Sequence, residues 1–94
     1  MFDIKVEGDG SVKLIGRLDA SQTDRAREVL KEVEGPVTLD LSDLEYISSA
    51  GIGVIMETYK RLHGKGLSLR LVRLKPAVRA VFGFAGLERV LAIE

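Results

Sequence analysis

Two adjacent hydroxyls, Ser48 and Ser49, sit in the stretch "DLEYISSAGIGVIM" (Asp43 to Met56), between a strand-like run and a helix-like run. Ala50, Gly51 and Gly53 follow them. A serine at the start of a helix can accept a hydrogen bond from a free backbone N–H of the first turn, which is worth about 1 kcal/mol. The other reading is that one of these hydroxyls is a site at which the protein is switched.

The other chemistry-bearing residues are less well placed. His63 is the sole histidine and the chain has no cysteine. It falls at a helix C-terminus beside glycines, where a cation favours the dipole, so a Ser-His-Asp triad and a zinc site are both disfavoured. "GIG" (Gly51 to Gly53) at a helix start superficially resembles a phosphate-binding turn. It lacks the third glycine of a dinucleotide fingerprint and the Gly-Lys-Ser/Thr of a P-loop, and is expected to follow a loop. Asp19 and Asp40 are expected at or near the C-terminal ends of strands two and three, where open α/β sheets place their sites. A receiver-like carboxylate pocket would also need a lysine on a later strand end, and "RLK" (Arg73 to Lys75) matches this only in part. Solvating a strand end and capping a turn is the favoured account of Asp40 and Asp43.

The elements that would hold these residues follow from periodicity. Phe2, Ile4 and Val6 alternate with polar neighbours, as do Val12 and Leu14, and "EGDG" between them reads as a hairpin turn. Ala26, Val29, Leu30 and Val33 make one stripe of an amphipathic helix, with Ser21 and Asp24 resembling a capping box and Gly35-Pro36 as its stop. Val37, Leu39 and Leu41 mark a third strand, with Leu44, Tyr46 and Ile47 continuing as an apolar loop. A second helix is expected from about Ala50 to about His63. Leu67 to Leu74 supply a fourth strand, Pro76 opens a third helix, and a short helical turn and a last extended piece close the chain. The fold class is α/β: a small mixed β-sheet in β-β-α-β-α-β-α order, with an antiparallel hairpin at its edge and right-handed parallel crossovers elsewhere.

Composition narrows the function. Lys+Arg and Asp+Glu balance at 14 each, which argues against nucleic acid as a partner, since neutralising phosphates calls for a basic surplus. No apolar run is long enough to span a membrane, and the N-terminus has no signal-peptide pattern, so a cytoplasmic address is expected. The 94 residues suffice for a single domain, residues 1–94. The chain has no asparagine and Gln22 as its one glutamine, a heat-adapted bias that bears on habitat and not on activity.

"LDLSDLEYISSAGIGVIMETYKRL" closely resembles the signature of the STAS domain family, specifically its bacterial anti-sigma factor antagonists. "LIGRLDAS" is similar to the family's Gly-x-Leu-Asp after strand two, and "KPAVRAVFGFAGLERVLAI" to its C-terminal pattern. The resemblance implies a STAS-like fold and a binding module with no catalytic machinery and no cofactor. It places the phosphoacceptor at Ser49, with Ser48 standing where the family usually has aspartate. Asp19, Ser21, Ser48, Ala50, Gly51 and Gly53 would line the partner surface, the glycines letting a partner approach closely. The implied partners are an anti-sigma factor that is also the serine kinase, and a PP2C-type phosphatase. The unmodified protein would bind the anti-sigma factor and release a sigma factor. The competing expectations are a STAS module that binds a ligand or scaffolds a complex without phosphorylation, and an enzyme or aspartyl phosphoacceptor.

Overall fold

The computed structural model describes all 94 residues. Strands β1 (Phe2–Val6) and β2 (Val12–Leu18) form the antiparallel hairpin. Asp9 closes its turn by accepting from both the N–H and the hydroxyl of Ser11, at 3.0 and 2.7 Å. A 3-10 turn (Ala20–Gln22) leads into helix α1 (Thr23–Leu30). Strand β3 (Val37–Ile47), helix α2 (Ser49–Gly64), strand β4 (Leu69–Val72), helix α3 (Pro76–Phe84), a second 3-10 turn (Leu87–Arg89) and a short strand β5 (Ala92–Ile93) follow. The sheet order is β1-β2-β3-β4-β5, with every pair beyond the hairpin parallel.

One cluster of 21 buried apolar residues joins the sheet to the helices. Val12, Leu14, Leu18, Leu39, Leu41, Leu69 and Leu71 come from the strands. Ala26 and Leu30 of α1, Ile52, Val54, Ile55 and Leu62 of α2, and Val78 and Phe82 of α3 are among the helix residues that meet them. Each such side chain contributes about 1.5–3 kcal/mol by leaving water.

Three sequence expectations are corrected. β3 does not end near Leu41: it continues to Ile47, so Leu44 and Ile47 are strand residues pointing into the core. The apolar spacing there is three rather than two because the β2–β3 register shifts twice, between Lys13 and Ile15 and between Gly16 and Arg17. Such bulges break a strict alternation. Gly16 makes the second shift possible, since its φ is +88° and a Cβ would lie 2.2 Å from the Met1 carbonyl oxygen. Second, α1 is not capped by Ser21: Gln22 holds the cap position without a side-chain bond, and Asp19 caps the preceding 3-10 turn. Third, Asp40 lies within β3, not at its C-terminal end.

Candidate functional site

The site is built where β2 and β3 end side by side. Leu18 pairs with Ile47 in the last register of the two strands. One residue later Ser48, in extended conformation (φ −89°, ψ 169°), is the N-cap of α2. Its backbone N–H donates to the Leu18 carbonyl at 3.0 Å. Its hydroxyl donates to the same carbonyl at 3.3 Å and accepts from the Gly51 N–H at 3.1 Å. Ser48 therefore ties the end of β2, the end of β3 and the first turn of α2 together. No loop separates strand from helix.

Ser49 has a different environment. It is the first residue of α2, it is exposed, and the helix cap is made by its neighbour. Ala50 beside it is also exposed. The two glycines divide in the same way. Gly51 is buried, and a Cβ on it would meet Leu18 Cγ, the Leu18 carbonyl oxygen and Ile47 Cγ1, all at 2.9 Å. The expectation that Gly51 stays open for a partner's approach is therefore corrected: it lets the helix sit directly on the two strand ends. Gly53 is exposed, and a Cβ added there would have nothing within 4 Å.

Asp19 continues β2 beyond Leu18. Its Oδ1 accepts from the Ser21 N–H at 3.0 Å and from the Ser21 hydroxyl at 2.6 Å. The Ser21 hydroxyl bond is the main reason the Asp19 carboxyl is held below the usual range, with nearby Arg17 also lowering it. The 3-10 turn that carries Ser21 packs against α2. Asp19, Ser21, Ser48, Ser49, Ala50 and Gly53 thus share one end of the molecule, around the α2 N-terminus.

One contact at this end carries no sequence signal. Arg17 and Tyr46 are register partners just before the strand ends, and the guanidinium stacks over the tyrosine ring at 4.3 Å. They are 29 positions apart in the chain and meet only through the shifted β2–β3 register.

The rival carboxylate reading is not assembled. Asp40 bonds Arg73 at 2.6 Å, Asp43 pairs with Lys13 at 2.9 Å, and Asp19 is committed to Ser21. The Arg73 guanidinium holds the Asp40 carboxyl well below the ordinary carboxylate range. No three His, Asp or Glu side chains converge in a cluster able to hold a metal ion. His63 is exposed at the far end of α2, stacked on Tyr59 at 5.2 Å.

A mixed five-stranded sheet of this order, with α2 springing directly from β3, is the fold of a STAS domain. A family model described as "Mlab, STAS domain" matches residues 4–92, and the chain belongs to that family. It is 30% identical over 91 residues to the anti-sigma-B factor antagonist of Bacillus subtilis, covering 94% of this chain and 84% of that one. It is 29% identical over 87 residues to the anti-sigma F factor antagonist of Paenibacillus polymyxa, covering 87% of this chain and 74% of the relative. The fold also matches the Bacillus cell fate determinant SpoIIAA in its phosphorylated form, with a TM-score of 0.70 at 19% identity over 100% of this chain and 91% of that one.

Proposed function

We propose that this chain is an anti-sigma factor antagonist, a cytoplasmic binding module without catalytic activity, switched by phosphorylation of Ser49. Family membership and the names of its relatives support the class. The observation that carries the switch is the division of labour between the two serines: Ser48 makes the cap, leaving the Ser49 hydroxyl exposed at the α2 N-terminus. The partner is an anti-sigma factor that is also the serine kinase, and a PP2C-type phosphatase reverses the modification. Asp19, Ser21, Ser48, Ala50 and Gly53 form the contact surface around the acceptor.

The energetics favour a switch at the interface over one in the fold. A phosphate on Ser49 meets the positive end of the α2 dipole, which favours it by about 0.3–1 kcal/mol. The domain keeps its structure. The same charge, desolvated against a partner that offers no matching donors, costs several kcal/mol. Each 1.4 kcal/mol is tenfold in affinity, so one phosphate releases the partner.

The test incubates the protein with a cognate anti-sigma factor, ATP and Mg²⁺, and follows intact mass and binding. One acid-stable phosphate with loss of binding is expected. An acid-labile phosphate would assign the modification to an aspartate. Binding without any mass change would favour the second reading, a STAS module that binds a ligand or scaffolds a complex unmodified. The resemblance, which sets Ser48 where the family usually has aspartate, favours that reading.

A further inference from the structure

A second interaction surface lies at the opposite end of the sheet from Ser49, between the edge strand β1 and the C-terminal part of α1. A groove of about 540 Å³ opens there, with Val6, Val29 and Val33 as its apolar floor and Glu28, Glu32 and Glu34 around it. Val6 stands on the core-facing side of β1 after Phe2 and Ile4. Those two are buried, whereas Val6 is 59% exposed. α1 ends at Leu30, and the segment after it, Glu32 to Glu34, lines the groove beside Val6 without covering it.

The edge of β1 is treated unevenly along its length. At its start Arg25 of α1 donates to the Phe2 carbonyl at 2.9 Å and pairs with Asp3 at 2.6 Å. Asp3 in turn accepts from the Ile4 N–H at 2.9 Å. These contacts engage the Phe2 carbonyl and the Ile4 N–H, a partial protection of the kind edge strands need against unwanted pairing. The protection stops before Val6. The uncapped part of the edge and the uncovered apolar floor coincide.

We infer that this groove docks a short extended segment of a partner protein that carries apolar side chains flanked by lysine or arginine. The apolar anchors would cover Val6, Val29 and Val33, while backbone pairing extends the sheet at the open end of β1. The charge of the occupant follows from the rim. Glu32 has no ion-pair partner in the chain, Glu34 has Lys65 only at 3.9 Å, and Glu28 has Lys31 at 3.1 Å on the exposed helix surface. A basic segment is attracted to this rim and an acidic one repelled. The surface is separate from the Ser49 site and is available whether or not Ser49 is a switch.

The test uses the full chain, labelled with ¹⁵N, titrated with a synthetic peptide alternating lysine and valine and with the same peptide carrying glutamate for lysine. The lysine peptide is expected to shift the amides of Val6, Val29 and Val33, and the glutamate peptide to leave them unmoved. Glu32→Gln, an exposed change that keeps the fold, is expected to weaken lysine-peptide binding about threefold to tenfold, as loss of a rim charge does. Raising ionic strength from about 0.01 to about 1 M, which cuts the Debye length from about 30 to about 3 Å, should weaken it further. Equal shifts from both peptides, shifts confined to other residues, or no shifts would overturn the inference. So would a concentration-dependent dimer abolished by Val6→Lys, which would assign the groove to a second copy of this chain.

Discussion

Strands β2 and β3 are finished differently at their two halves. Away from their C-terminal ends, charged side chains in and beside β2, β3 and β4 satisfy one another: Lys13 pairs with Asp43, Arg73 just past β4 bonds Asp40, and Arg70 of β4 bonds Glu94 at 2.7 Å. Toward their C-terminal ends the contacts are made by small groups. The Leu18 carbonyl receives Ser48, Gly51 packs on Leu18 and Ile47, and the Ser49 hydroxyl faces solvent. The first region closes its electrostatics within the chain and leaves little for a partner to recognise. The second uses backbone hydrogen bonds for rigidity and leaves Ser49 exposed at the start of α2. Exposed ion pairs contribute about 0–1 kcal/mol each, so the first region is better understood as neutralised surface than as a source of stability.

The contrast can be broken most forcefully at Ser49. Ser49→Glu should leave the melting temperature nearly unchanged and weaken binding to a cognate anti-sigma factor by about a hundredfold or more, the equivalent of about 3 kcal/mol. Calorimetric titration measures this, and undiminished affinity would remove the switch. Next in size is Gly51→Ala. Two of the three contacts at 2.9 Å come from Leu18, one of them its backbone oxygen, so relief requires the helix to move. A loss of about 1–3 kcal/mol of folding stability is expected, as for other overpacked sites, read by urea denaturation.

Asp40→Asn tests the neutralised region through pH. The folded-state carboxyl is held low, chiefly by Arg73 and further by the Ser42 N–H. Its contribution is therefore full above the unfolded value of about 3.9 and is lost as pH falls toward the lower folded value. The Arg73 side chain is 67% exposed, so screening limits the effect to about 1 kcal/mol. The difference in stability between wild type and Asp40→Asn should be present at pH 7 and shrink below about pH 4. A difference that stayed constant down to pH 2 would mean that the Arg73 pairing is not its source. The smallest effect has the opposite sign. Gly53→Ala should stabilise the protein by up to about 1 kcal/mol, because the position is an exposed helix interior with open space for a methyl group. If the partner packs against Gly53, the same variant binds it more weakly.

The two glycines show where sequence reasoning reaches its limit. "GIG" presents them as equivalent, and spacing alone cannot tell which one faces the strands. The distinction depends on α2 following β3 after one residue, and that in turn on β3 running to Ile47. The alternation Val37, Leu39, Leu41 is legible as a strand. Leu44 and Ile47 are not, because two register shifts change the repeat, and the Gly16 backbone at the second of them is set by contact with Met1. The element order, the edge hairpin and Pro76 at the start of α3 follow directly from local pattern. The Ser21–Asp24 capping box fails because Asp19, two residues upstream of Ser21, takes its hydroxyl. Arg17 on Tyr46 depends on tertiary register and has no local signature.

Phosphopeptide mapping after treatment with a cognate anti-sigma factor kinase, ATP and Mg²⁺ tests the central assignment most directly. Wild type and Ser48→Ala should both carry a single phosphate on Ser49, the latter on a helix weakened by about 1 kcal/mol through loss of its cap, and Ser49→Ala should carry none. Phosphate on Ser48 in the wild-type protein would contradict the account, because it would place the modification on the hydroxyl that holds β2, β3 and α2 together.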